Sequence, residues 1–180
     1  MPAASSAGCI RPAYDSALWA SVTAFSDGIY GCAIRALATT SSGPVWRYLY
    51  SHVYDNDEFL AGLRAAHFID DPIMWHDADL LAGFGAADYQ FSADEDQLSA
   101  TMTGYWTNFA KTGDPNGAGL PAWPLANGPN RPTMAFDTPT SIVNGYHDRQ
   151  CDYFDTVPIF LKAGWIHGGI PSLIPLPGPG

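Results

Sequence analysis

Six side chains able to move protons or bind a cation crowd one short span: His67, Asp70, Asp71, His76, Asp77 and Asp79. An imidazole such as His67 suits general base and acid work, because its pKa lies near working pH and it both accepts and donates. Imidazole and carboxylate also ligate metals. Here no histidine pair has the i, i+4 spacing of a zinc helix, and the aspartates fit no calcium loop. A solvated acidic surface loop is the better reading, with no metal and no cofactor implied. Taken alone, His67 is then an ordinary polar loop residue. A serine nucleophile on a tight strand-to-helix elbow needs small neighbours, in the pattern G-x-S-x-G. That pattern is absent; ASSAG at 4–8 and AFSDG at 24–28 lack the first glycine, and neither follows a strand.

The best-specified element near these groups is the stretch Ser92–Asn116. Ser92 and Glu95 stand at capping-box spacing, and Leu98, Met102, Tyr105, Trp106 and Phe109 recur on one helical face. Lys111 suits the last turn, Gly113 offers a left-handed stop, and Pro115 forbids continuation. The spacing predicts a helix over 93–112, pinned against something large. Upstream, Tyr14–Phe25 and Ser26–Thr40 carry apolar residues at helical spacing, with Ser26 or Asp27 as a cap for the second. Val45–Val53 is dense in β-branched and aromatic residues on both faces, as for a strand covered on both sides. Such a strand is not stable alone, so the chain is expected to hold part of a sheet, with an edge and a face uncovered.

The span after that strand reads as a long acidic loop with a helical stretch near Pro72–Leu81. Thr133–Asp137 reads as a short strand and Ser141–Thr156 as a final helix. Residues 1–14 read as an irregular N-terminal segment and 158–180 as a Pro/Gly-rich tail, flanking one folded region at 15–157. His52 and His147 read as ordinary strand-edge and surface residues, and His167 lies in the tail. Trp75, Trp106 and Trp123 read as packing residues rather than a cofactor box.

The totals narrow the partners. A chain of 180 residues that is 47% hydrophobic is long enough for a real core. A net charge of −10, with Lys111 and Lys162 the two lysines, leaves no basic patch for nucleic acid or an anionic membrane. No apolar run reaches the roughly 18–20 residues of a membrane span. The start, MPAASSAGCIRPAYD, lacks the charged and apolar regions of a signal peptide. Cys9, Cys32 and Cys151 are compatible with one bridge and one spare thiol, and they lack zinc-site spacing. Composition leaves the compartment and the oligomeric state open.

Several segments together resemble the C-terminal region of the type B carboxylesterases, the cholinesterase- and lipase-like α/β-hydrolases. The densest is YWTNFAKTGDPN at 105–116 followed by LPAWPLA at 120–126. In the family's order come SDGIYGCAIRALA at 26–38, GPVWRYLYSH at 43–52, RAAHFIDDPIMW at 64–75 and QCDYFD at 150–155. The resemblance covers roughly residues 20–156.

This resemblance implies an α/β fold: the last core strand, the catalytic-histidine loop and flanking helices of an α/β-hydrolase, with an incomplete sheet. It implies a carboxylic ester hydrolase acting on a small-molecule ester through an acyl-enzyme, with His67 as general base. The family's nucleophilic serine and triad acid precede the matched region, so the chain alone is expected to be inactive. The residue after the family's histidine is usually glycine, and here it is Phe68. Asp70 matches an acidic position three residues on, where it is expected to hold the loop rather than orient His67. The resemblance also implies a Cys32–Cys151 disulfide, worth on the order of 4–5 kcal/mol in the chain-entropy model. With that bridge comes a secreted or extracytoplasmic setting. Non-catalytic adhesion modules of the same family are the alternative reading, against which the retained His67 leans.

Overall fold

The computed structural model describes residues 16–54 and 56–156. The segment 1–14, with Cys9, and the tail 158–180, with His167, lie outside the described residues. The chain forms two compact units, one from the two ends (16–41 and 147–156 as described) and one from 42–146.

The first unit is helical. Helix α1, Ala17–Ser26, starts where the Ser16 side chain accepts from the Trp19 amide at 3.3 Å. The expected cap at Ser26 or Asp27 is not one. Both residues are helical, and one wide turn, Asp27–Gly31, carries the chain straight into α2, Cys32–Thr40. Asp27 is buried instead, and its carboxylate accepts from His147 Nδ1 at 2.6 and 2.8 Å. Gly31 leaves room for it, since a Cβ there would stand 3.1 Å from Asp27 Oδ1. The last helix, α6, Asp148–Thr156, is held to α2 by the Cys32–Cys151 disulfide. Beside the disulfide, the buried Arg35 guanidinium donates to Asp152 and Asp155, each at 2.7 Å, and to the Asp148 carbonyl at 3.1 Å.

The second unit is built on a three-stranded sheet in the order β1-β2-β3. Strand β1, Tyr48–Tyr50, runs parallel to β2, Pro132–Phe136, which pairs antiparallel with β3, Ser141–Asn144. The regular ladder of β1 is shorter than the expected 45–53. Its extended neighbours are nonetheless tied: the Ala126 amide reaches Val45 O at 2.8 Å, and the Ser51 and His52 amides both reach Phe136 O. Nor is β1 fully covered: Tyr48 is exposed on the face it shares with the buried Tyr50, and Leu49 on the opposite face is only half-buried. The expected helix over 141–156 is also corrected at its start. The β-branched pair Ile142–Val143 lies beside β2, and Gly145 and His147, both at positive φ, turn the chain before α6 begins.

Between β1 and β2 come α3 (Glu58–Leu63), α4 (Asp71–Trp75), a 3₁₀ helix (Ala78–Phe84) and the long α5 (Ala93–Thr112). The short α3 was not expected; Asp57 caps it by accepting from the Leu60 amide at 2.9 Å. The helical stretch near 72–81 is broken in two because His76 adopts a left-handed conformation and Asp77 caps a new start. Helix α5 has the bounds the spacing predicts, with the capping box formed and Gly113 left-handed at its end. Leu98, Met102 and Tyr105 are buried against Tyr54, Leu60, Ile69, Ile73, Met134 and Phe136. Each fully buried side chain of this kind contributes about 1.5–3 kcal/mol. No helix among the described residues is long and apolar enough to cross a membrane.

Candidate active site

His67 lies in the turn between α3 and α4, with its side chain exposed. The chain enters the turn through Arg64, at φ 54°, and leaves it at Asp70, the residue before α4. Phe68 has φ 70°, a left-handed backbone that glycine takes freely and a bulky side chain resists. Its ring is exposed and lies 3.9 Å, centroid to centroid, from the His67 imidazole. Phe68 therefore holds a backbone that glycine takes more readily, and its ring covers one face of the histidine.

Asp70 does not cap α4 with its side chain. Burial pushes its carboxyl above the usual value, and the charge of Asp71 pushes the same way, against the lowering effect of His67 and the Tyr48 hydroxyl. Burial raises the Tyr48 hydroxyl on β1 above its ordinary value, and the nearby charges of Asp70 and Asp71 push the same way. The other acidic-loop residues disperse. His76 Nε2 pairs with Asp96 Oδ1 at 2.9 Å on the surface, and Asp77 accepts from the Asp79 amide. Among the described residues no three histidine, cysteine or carboxylate side chains converge as a metal site. Trp75 is exposed and not a packing residue, whereas Trp123 is buried in the aromatic cluster.

One constellation was missed by sequence reasoning. His52 is not an ordinary strand-edge residue: it is buried, and its Nε2 lies 3.0 Å from Glu95 Oε1. The Tyr89 hydroxyl donates to the same oxygen at 2.7 Å, and the Ser92 amide donates to Glu95 Oε2 at 2.7 Å. Burial works against the Glu95 charge, but the His52, Ser92 and Tyr89 donors outweigh it and hold the carboxyl below its ordinary value. The signal was present as period-two spacing, because Tyr50, His52 and Tyr54 share one face of extended chain and all three are buried. A separate apolar cavity of about 310 Å³ opens beside β1, lined by Trp46, Tyr48, Trp106, Phe109 and Trp123 and not by His67.

A carboxylesterase-family profile matches residues 11–154. The chain belongs to the carboxylesterase family. Among curated proteins it is 32% identical over 127 residues to mouse carboxylesterase 5A, covering 68% of this chain and 22% of that protein. It is 38% identical over 90 residues to human cocaine esterase, covering 47% of this chain and 15% of that protein. Among solved structures it superposes with a TM-score of 0.53 on an esterase from Clostridium hathewayi described as able to hydrolyse aliphatic aromatic polyesters. The two are 25% identical, and the match covers 68% of this chain and 23% of that one. A thermophilic PNB esterase matches with the same score, 26% identity and coverage of 62% and 22%. Across these carboxylesterase relatives the chain spans between 15% and 23% of their length. The fold is accordingly part of an α/β-hydrolase, with an incomplete three-stranded sheet.

Proposed function

We propose that this chain carries the general base of a serine-type carboxylic ester hydrolase. His67 takes that role, and the nucleophilic serine and the triad acid are supplied by residues outside the 180 present here. The observation that carries the reading is an exposed His67 in the turn after β1, within the stretch that matches the carboxylesterase family. In that chemistry the imidazole takes the serine hydroxyl proton as the oxygen attacks the ester carbonyl, then hands it to the departing alkoxide. Water repeats the cycle on the acyl-enzyme, so ester and water become acid and alcohol. The substrate class is a small-molecule ester. Phe68, set against His67, narrows the approach to the base relative to a glycine in that position. The Cys32–Cys151 disulfide supports a secreted or extracytoplasmic setting.

The test has two parts. The purified 180-residue chain is expected to turn over no simple aryl ester; turnover abolished by His67→Ala would place the nucleophile inside these residues and overturn that part. In a chimera where this segment replaces the matching region of an active esterase relative, His67→Ala should cut kcat/KM by at least about 10³-fold. Retained activity in that variant would remove His67 from the reaction.

A further inference from the structure

The turn that bears His67 is held weakly by its own backbone. Its two internal amide bonds, Ile69 to Ala66 O and Asp71 to Phe68 O, are both 3.3 Å long, and Phe68 between them is left-handed. The fixed point lies two residues past the histidine. Ile69 is fully buried, and its carbonyl accepts from the Tyr54 hydroxyl at 3.0 Å. Tyr54 is itself fully buried, with its ring edge-on to His52 and to Tyr89, each at 5.3 Å between centroids. Those two rings are set by a common anchor, since His52 Nε2 and the Tyr89 hydroxyl converge on Glu95 Oε1. The other Glu95 oxygen is taken by the Ser92 amide, which fastens the carboxylate to the start of α5.

A phenylalanine would fill the volume of Tyr54 without a polar atom to satisfy. A hydroxyl in so dry a place is costly unless bonded, so what it adds is a directional tie. We propose that Tyr54 is the positioning residue for His67: Glu95 fixes it through His52 and Tyr89, and it fixes the turn through the Ile69 carbonyl. The anchor for the base is thus a capping-box glutamate at position 95, in a different element and well away in sequence. This rests on the reading of His67 as the base, but its test does not depend on turnover.

Amide hydrogen exchange by NMR on the full 180-residue chain reads the tie directly. In Tyr54→Phe, the Ile69 and Asp71 amides should exchange roughly 3–10-fold faster, the scale of one lost neutral hydrogen bond. The α5 amides should keep their rates, and the His67 ring resonances should shift. Glu95→Gln, which keeps the shape but not the charge, should loosen the same turn amides through Tyr54. Unchanged turn amides in Tyr54→Phe would overturn the proposal. So would a uniform rise across all amides, which would make Tyr54 a core residue and nothing more. His67→Ala should leave the Ile69 amide rate near wild type, so that a failure of the catalytic reading shows in the ester assay and a failure of this one shows here.

Discussion

Phe68 is asked for two incompatible things by its position. Its backbone sits at φ 70°, which for a bulky residue costs roughly 1–2 kcal/mol, while its ring is 60% exposed and so recovers little burial. It does lie against the His67 ring. Phe68→Gly should therefore raise stability by about 1 kcal/mol in urea denaturation and open the histidine face; a loss of stability would mean that the ring contact outweighs the strain. At this scale the order of family segments singled out His67 and Asp70 in the sequence. It did not show what holds the turn. The Tyr54 hydroxyl that ties it at the Ile69 carbonyl acts across a stretch that no local pattern links to position 67.

Helix α5 shows how far a local pattern carries and where it stops. Its cap, its stop and most of its buried face were legible, because each depends on residues three or four apart; Phe109, expected on that face, is exposed, and Trp106 is partly buried. The second duty of Glu95 was not legible: the same carboxylate that closes the capping box accepts from His52 and Tyr89 in the core. That duty has a pH signature. A carboxyl whose folded pKa lies below its unfolded value adds stability that is fully present above the unfolded value. That stability is lost as the pH falls through the lower folded one. Urea midpoints should thus drop on acidification below about pH 4.5, the unfolded reference for Glu95, and Glu95→Gln should flatten that part of the profile. A parallel profile in the variant would assign the acid sensitivity elsewhere. The GDPN-to-Trp fingerprint also acquires a physical meaning. The Asn116 side chain accepts from the Trp123 amide at 2.7 Å and donates to its carbonyl at 3.1 Å. The Trp123 indole in turn donates to Arg47 O beside β1. The motif is a clip that holds the segment after α5 against the strand.

For the whole molecule, element order was legible and element type mostly so: the chain before β1 is helical and β2 lies within one residue of its expected bounds, although the two expected helices run on into each other. The misreading at 141–144 arose because a four-residue strand beside β2 is specified by its partner, not by its own short pattern. The disulfide was legible only through family likeness, because 119 positions separate the two cysteines.

That bridge has a consequence for how the molecule comes apart. Residues 32 to 151 form a closed covalent ring, so one cut by a protease anywhere within it opens the ring without releasing a piece. A singly nicked preparation should run as one band of undiminished mass on a non-reducing gel and as two shorter bands once the thiols are reduced. Two bands without reductant would mean that the ring is open in the isolated protein.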